Sequence, residues 1–567
     1  MKYNLASGSV FGLLSLAIFG WLAFGLVWQR GLYMDDYVWY EDVLSQAPGE
    51  LAVLDVLPAN SPARALVPVT IGTAFQVLVR SEFAFRAIAG LWVLGNGALA
   101  GWLALRVTAR PVVAAFTGAL FGLPFVAAEA VLWTGAFPYV VATSLAFATL
   151  HAIWTTLTCN RRWAMWAMVS AALSGFTLLF FEAFVSIAGF AILLIPLAAS
   201  HPQNNRRKPI VLKALTVSAL CSSTILGFFA LYYVGSPVLE GRGGLVTDPS
   251  QLVTRIVGWF QRFDWLVLSP GFGRLVFTEA LSLGISTVAT NTIAAILGTI
   301  ALILAVAWWG QAIESHAPAP ESRPRLLWMV VVGITWFAVG MSIPGVLAAG
   351  QILESRLLYF PYAGLSLAIA AAIDLVVQIA PRHFKTAVGV VSILWIAGSA
   401  LILVGFARGF VLRYSLDQAQ LARVAPLLAS ANLPHEIVVI PATTTEEIPA
   451  MGSRLSSIFV GVFETSWSAA SAMRLVDDRA SFRFVTGNRW ASLPITCLND
   501  GLIQVGDWTF QSDQVILFSL APDLVIYNSI ESQNPSATCR AYLPLSAKLE
   551  PATAEAVPIV PLIAPSP

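Results

Sequence analysis

Apolar runs about twenty residues long and almost free of charge recur through most of this chain. A run of that length crosses the hydrocarbon core of a bilayer as a helix, because a helix satisfies its own backbone polar groups where no water can. The rule marks about eleven spans, at roughly 8–28, 84–106, 111–128, 138–158, 163–181, 183–199, 211–234, 288–309, 326–347, 357–380 and 386–407. Composition agrees: 57% of residues are hydrophobic and 11% charged, where a soluble protein carries roughly a quarter. The expected class is an α-helical polytopic membrane protein. The formal net charge of +1 leaves no global field for a nucleic-acid partner. The apolar run from Val10 to Trp28 is followed by Gln29-Arg30 with no small-residue cleavage site, so it reads as an uncleaved first helix rather than a signal peptide.

Loop charges give the expected orientation. Lys2; Arg106 and Arg110; Arg161 and Arg162; Arg206, Arg207 and Lys208; Arg323 and Arg325; and Arg382 and Lys385 fall in alternate loops. The positive-inside rule assigns these to the cytoplasm. The chain is then a multi-pass protein of the plasma (bacterial inner) membrane, with a cytoplasmic N-terminus and everything after residue 407 extracytoplasmic.

The expected domains are a membrane part over 1–407, with long outer loops at 29–83 and 235–287, an outer domain over 408–548, and a disordered tail over 549–567. Within the first loop, Pro68 to Val79 is apolar but too short to span, and reads as a juxtamembrane or re-entrant helix. In the second, Leu252, Ile256, Trp259, Phe260, Phe263 and Val267 share one helical face, as in a helix lying on the membrane. After Arg408 polar residues return. The runs Ile437–Ile440, Val515–Phe518 and Leu524–Tyr527 read as strands and Leu416–Ala431 as a helix, giving a small α/β or α+β domain. Cys497 and Cys539 fall in this outer part, where disulfides persist, and are disulfide candidates. No zinc-binding cysteine spacing occurs, and no internal repeat is present.

Charge is scarce, so the polar residues at the outer face stand out. Gly31-Leu32-Tyr33-Met34-Asp35-Asp36-Tyr37-Val38-Trp39-Tyr40 follows the first span. It holds two adjacent acids among aromatic rings suited to the headgroup layer. Glu129 follows the third span, Glu182 lies between two spans, and Glu354 and Arg356 precede a late one. Acids and an arginine at an outer face suit transfer of a sugar from a lipid phosphate. A carboxylate takes the proton of an acceptor hydroxyl as it attacks. An arginine holds the departing phosphate through paired hydrogen bonds.

These stretches resemble the multispanning GT-C glycosyltransferases, which use polyprenyl-phosphate sugars. They are most similar to bacterial relatives of the protein O-mannosyltransferases that carry tetratricopeptide repeats. Asp35-Asp36-Tyr37 resembles the family's acidic pair in the first outer loop. Arg64 with Leu66-Val67-Pro68 resembles the Arg-Pro-Leu segment that follows it. Pro124, Glu129-Ala130-Val131 and Trp133 resemble a Pro-x-x-x-x-Glu-Ala-Val-x-Trp stretch. Glu354-Ser355-Arg356-Leu357-Leu358-Tyr359-Phe360-Pro361 resembles the late Glu-Arg-x-Leu-Tyr-x-Pro signature. The resemblance covers roughly residues 8–400. It implies a membrane glycosyltransferase of the cell envelope with a polyprenyl-phosphate sugar donor. Asp35 is then the general base and Asp36 its neighbour in the catalytic pair, with the order of the two open. Arg356 would bind the donor phosphate, supported by Glu129, Glu182 and Glu354.

The chain departs from that family in two places. Leu123 and Val126 stand in a region where histidines are usual, and no tetratricopeptide array follows the membrane part. Sugar and acceptor (glycan, lipid or protein) therefore stay open. No cofactor is called for, and metal dependence is also open. Two other classes compete: a transporter or flippase of lipid-linked glycans, and a non-catalytic envelope assembly protein with the same fold. A transporter would place its acids near the bilayer midplane; these stand at the edge.

Overall fold

The computed structural model describes residues 32, 36–45, 66–200, 207–232, 250, 253–254, 257, 273–315, 323–347, 355–429, 437–440, 451–456, 458–459, 461–476, 483–487, 495–498, 502–511, 515–517, 530–531 and 538–539. The chain divides into two compact units, one of residues 1–28 with 51–407, the other of residues 29–50 with 408–567. The long outer loop 29–83, expected to belong wholly to the membrane part, is divided between these two units at residue 50.

The first unit is a bundle of apolar helices. Among the described residues eight are long and apolar enough to cross a membrane: Glu82–Thr108, Pro111–Leu132, Thr134–Thr158, Pro209–Ala230, Thr292–Trp309, Arg323–Met341, Arg356–Ile379 and His383–Ala422. Two expected spans are shorter than the sequence implies. One becomes Trp163–Leu178, and the other breaks into Ile187–Leu193 and Ile195–Ala199. Pro196 stands at the start of that second piece; proline lacks the N–H that would continue the preceding helix. The span expected at 8–28 lies outside the described residues. The apolar stretch at Pro68 is helical over Leu66–Arg80, as expected. Leu91, Leu226 and Ile293 are about two-thirds exposed at 68%, 69% and 67%, which places them on the lipid-facing surface of a chain of this class.

Small residues set the closest approaches. A Cβ at Gly97 would lie 2.8 Å from the Gly118 carbonyl oxygen, and one at Gly101 2.7 Å from that of Ala114. Rising numbers on one helix meet falling numbers on the next, so Glu82–Thr108 and Pro111–Gly122 run antiparallel with backbones in contact. Polar ties fix the register of the parallel neighbours. Asn96 donates to the Val140 carbonyl at 2.8 Å and to the Tyr359 hydroxyl at 3.4 Å, and accepts from Ser144 at 2.6 Å. Further along, Arg106 donates to Thr155 at 3.0 Å. Arg110 grips the buried Asp374 with Nε and Nη2 at 2.8 and 2.9 Å, and Gln378 adds a third donor at 3.2 Å. Arg106 and Arg110, of one basic loop, thus share one end of the bundle. Glu129 and Arg356 lie at the opposite ends of the same helices.

The loop expected at 235–287 contains a helix not foreseen, Gly273–Ala289. Its apolar residues follow directly on the glycine- and proline-bearing stretch around Pro270, which hides their period. It packs antiparallel along the Arg382–Ala429 helix: Gly284 meets the Leu401 backbone and Gly405 meets that of Ala280. Asn291 then caps the next helix, its side chain accepting from the Ala294 N–H at 3.1 Å. Most of the surface helix expected over 252–267 lies outside the described residues.

The second unit mixes helix and sheet. The Arg382–Ala429 helix enters it without a break and has 48 residues, about 70 Å of length. The separate helix expected at Leu416–Ala431 is therefore its last turns. Arg413 and Asp417, four apart on one face, pair in its polar end at 2.5 Å, which lets it continue past the apolar stretch. Strand β1 (Ile437–Ile440) lies between β2 (Arg483–Thr486) and β6 (Val515–Leu517), parallel to both. Strands β3 (Ile495–Cys497), β4 (Leu502–Val505) and β5 (Trp508–Gln511) form an antiparallel meander. The β4–β5 hairpin turns on Gly506-Asp507, with Gly506 at φ 59°, the left-handed conformation a two-residue hairpin needs. Val439, Val485, Ile503, Val505, Phe510 and Val515 close one core across both sheets. The short strands β7 (Ile530–Glu531) and β8 (Thr538–Cys539) pair with each other. The expected strand Leu524–Tyr527 and the tail 549–567 lie outside the described residues.

Candidate active site

The sequence Leu123-Pro124 ends the Pro111–Gly122 helix and begins a descent through short pieces: a 3-10 turn over Phe125–Ala127, a helical turn over Ala128–Leu132, and another 3-10 turn over Thr134–Ala136. Irregular backbone of this kind exposes peptide groups and tolerates charge better than a continuous helix in lipid. Glu129 stands in this stretch. Ser355–Leu358, a 3-10 turn that leads into the Tyr359–Ile379 helix, packs against it.

The two stretches meet through one ion pair. Arg356 Nη1 lies 3.3 Å from Glu129 Oε1, and the Arg356 backbone N–H donates to Glu129 Oε2 at 3.4 Å. The guanidinium also sits over the Trp133 ring, 4.6 Å from its centre, a cation–π contact. The next residue, Thr134, accepts from Arg86 at 3.4 Å, and Arg86 pairs with Glu82 at 3.1 Å one helical turn away. Ser81 caps that helix with its side chain, accepting from Ala84 N–H at 3.2 Å. The Glu82–Arg86 pair escaped the sequence reading, although Ser-Glu-x-x-x-Arg at a helix start carries both a cap and an i,i+4 pair.

A narrow cleft opens beside Arg356, lined also by Tyr139, Thr143, Phe184, Tyr359 and Phe360. Tyr139 stacks on Phe181 with ring centres 3.7 Å apart and planes within 10°.

The other expected site residues fall as follows. Asp35 and Glu354 lie outside the described residues; Arg356 pairs with Glu129, 227 positions away. Glu182 begins a 3-10 turn over Glu182–Ser186, and its side chain is not described. Cys497 ends β3 and Cys539 ends β8; their side chains are likewise not described.

Asp36 belongs to the second unit. Within the outer loop expected from the sequence it is the first residue of a helix, Asp36–Ser45, and 1% exposed. An acid at a helix N-terminus is stabilised by the unpaired N–H groups there. Tyr37 is also 1% exposed, and its hydroxyl accepts from Gln418 at 3.4 Å. Burial pushes the Tyr37 phenol well up, with the negative charge of Asp417 adding to it. Glu41 accepts from both Nε and Nη2 of Arg474, the latter at 2.8 Å. Among the described residues no group of three or more His, Cys, Asp or Glu could hold a metal ion.

No protein-family profile matches the chain, and no curated protein matches it. Among solved structures it is similar to ArnT from Cupriavidus metallidurans. The crystal structure bound to undecaprenyl phosphate matches at 14% identity over 84% of this chain and 90% of that one, with a TM-score of 0.30. The apo crystal structure matches at 14% identity over 85% and 90%, with a TM-score of 0.31.

Proposed function

We propose that this chain is an integral membrane glycosyltransferase that moves a sugar from a polyprenyl-phosphate donor to an acceptor at the extracytoplasmic face. The observation that carries the reading is the Glu129–Arg356 contact. It joins two stretches singled out independently in the sequence, 124–133 and 354–361, at one end of the bundle. Arg106 and Arg110, of one basic loop, occupy the other end. That separation supports an outer-face site under the positive-inside rule.

The chemistry follows from the side chains. Asp35 accepts the proton of the acceptor hydroxyl, whose oxygen bonds to the anomeric carbon. The bond from that carbon to the phosphate oxygen breaks, and its electron pair leaves with the phosphate. Arg356 offers a planar fork matched to phosphate oxygens. Glu129 and Trp133 hold that fork from two sides, so its orientation is set before the donor arrives, which lowers the cost of binding.

The test is transfer from a panel of synthetic polyprenyl-phosphate hexoses and pentoses by purified protein in detergent. General-base assistance is worth typically about 10²–10⁴-fold. Asp35→Asn should lower turnover by about that factor with donor binding retained. Wild-type turnover in Asp35→Asn would remove the catalytic assignment.

A further inference from the structure

We propose that the start of the Arg323–Leu347 helix is a binding site for a phosphate group, with the buried Arg325 guanidinium as its principal ligand. The site lies at the end of the bundle remote from Glu129 and Arg356, and it does not depend on the glycosyltransferase reading.

An arginine stands where the pattern of its helix asks for an apolar residue. Met329, Val332 and Trp336, four, seven and eleven positions after Arg325, are all buried. That spacing is one inward-facing helical stripe. Arg325 begins the stripe and is itself only 7% exposed. Leu327 and Trp328, on the other side of the helix, are about half exposed. Among the described residues, Nε and Nη2 of Arg325 meet no hydrogen-bond acceptor. A buried charge is costly unless it is paired and hydrogen-bonded.

The helices packed on this one supply no spare counter-charge. A Cβ at Gly333 would lie 2.5 Å from the Gly364 carbonyl oxygen, and one at Gly340 2.9 Å from the Pro361 ring. Arg323–Leu347 and Tyr359–Ile379 therefore run antiparallel, which puts Arg325 at the Asp374 end of its neighbour. Asp374 is the one acid in Tyr359–Ile379, and Arg110 and Gln378 already hold it. Ile195–Ala199, which also packs on the Arg323–Leu347 helix, has no acid, and neither has that helix itself. The 3-10 turns that touch it, Glu182–Ser186 and Ser355–Leu358, contribute Phe184, Arg356 and Leu357 to the cleft at the far end.

The helix start adds to the imbalance. Its first turn has no acid, and the free N–H groups of a first turn are themselves positive. A cation there is unfavourable, and one anion offsets both the N–H groups and the guanidinium. Phosphate suits the arginine fork, which reaches two of its oxygens at once. A candidate membrane span begins at Arg323. Arg325 is then only about 3 Å inside that boundary, level with lipid headgroups, so the phosphate can come from a phospholipid as well as from solution.

The test uses full-length protein stripped of lipid in maltoside detergent. Wild type, Arg325→Met and the exposed-site control Arg323→Gln are titrated with phosphatidylglycerol. They are titrated separately with inorganic phosphate, against chloride at the same ionic strength. Native mass spectrometry counts bound lipid, and the thermal midpoint follows both probes. With neither probe, Arg325→Met should melt at or above wild type, because an unpaired buried charge has been replaced by an apolar side chain. With a probe present, wild type should gain stability and Arg325→Met should not. Half-saturation should rise at least about tenfold in Arg325→Met, and stay within about threefold of wild type in Arg323→Gln. A response to phosphatidylglycerol alone assigns a lipid headgroup, and a response to inorganic phosphate assigns a soluble anion; either supports the site. Equal half-saturation in wild type and Arg325→Met for both probes overturns it. So does an Arg325→Met variant that melts below wild type with neither probe present, since the acceptor is then within the chain. Glu321, four positions earlier and outside the described residues, is the acid whose Gln variant would show the same loss. Where the Met variant does not fold, Arg325→Lys keeps the charge without the fork and should raise half-saturation at least about threefold. An unchanged value there overturns the site as well.

Discussion

Glu129 and Arg356 stand 227 positions apart and share an ion pair of 3.3 Å, with a second hydrogen bond from the Arg356 backbone. The carboxylate therefore reads both the charge of the side chain and the course of the chain that bears it. The two partners are 23% and 20% exposed, so neither charge is sealed from a substrate.

Arg356→Lys keeps the charge but loses the planar fork and much of the stacking on Trp133. We expect the donor KM to rise and turnover to fall, about tenfold or more in kcat/KM. Glu129→Gln should act in the same direction and more mildly, since its amide still accepts from the backbone N–H. Titration with polyprenyl phosphate, alongside the transfer assay, measures both. Wild-type donor use in Arg356→Ala would leave Arg356 a structural partner of Glu129 only.

Asp374 is fully buried and depends on Arg110 for its charge balance. Removing one partner of a buried pair costs about 3–5 kcal/mol. Arg110→Ala should therefore lower the thermal midpoint of the bundle markedly. Arg110→Ala/Asp374→Leu should recover part of the loss, because no uncompensated charge remains. Thermal unfolding in detergent, read by tryptophan fluorescence, compares the two.

How much of this was legible in the sequence depends on the range of the interaction concerned. The Glu82–Thr108 and Pro111–Leu132 helices announce themselves by twenty apolar residues, a local property. So do Ile437–Ile440 and Val515–Leu517, whose β-branched runs sit between turn residues. The partner of Arg356 did not. Glu129 lies 227 positions from Arg356, and helix packing alone decides which loop ends meet. The Arg382–Ala429 helix runs past the end of its span expected from the return of polar residues after Arg408. Only the i,i+4 closure of Arg413 on Asp417 shows why a helix can carry them. The placement of Asp36–Ser45 was out of reach altogether, since the arginine that holds it is encoded near the other end of the chain.

The proposed orientation is open to a direct test. A cytoplasmic reporter signal is expected for a fusion at Arg162, and an extracytoplasmic one for a fusion after Pro434. The latter lies beyond the long helix, which a fusion at Gly409 would interrupt. A cytoplasmic signal after Pro434 would remove the outer-face site.

For the cysteines, alkylation and mass mapping of purified protein should find no free thiol at Cys497 or Cys539. If they pair, Cys539→Ser should destabilise the second unit by about 2–5 kcal/mol. Full alkylation of both in the untreated protein would exclude the bridge.

Glu41 yields a pH dependence. Burial works to raise its carboxyl, but the hydrogen bonds from Arg474 and Ser471 and the Arg474 charge outweigh it, holding Glu41 below its ordinary 4.5. A group depressed in the folded state stabilises that state above the unfolded value and loses the contribution as pH falls through the folded one. Wild-type protein should thus protect residues 36–45 better than Arg474→Gln at pH 7. The gap should close as the pH drops below about 4.5. A gap that is constant from pH 7 to 3 would show that the pair contributes nothing through charge.

The distance between Glu41 and Arg474 along the chain is also an interval of time. They are 433 residues apart, and a ribosome adds about 5–20 residues per second. The acidic segment is therefore made about 20–90 s before the arginine that holds it exists. During that wait it has left the ribosome, while the strands that will brace its partner helix are still unwritten. A nascent chain of this design lacks the contact that holds Asp36–Ser45 until Arg474 has been made. Truncation anywhere before Arg474 leaves a membrane bundle that can insert but lacks the hold on its acids.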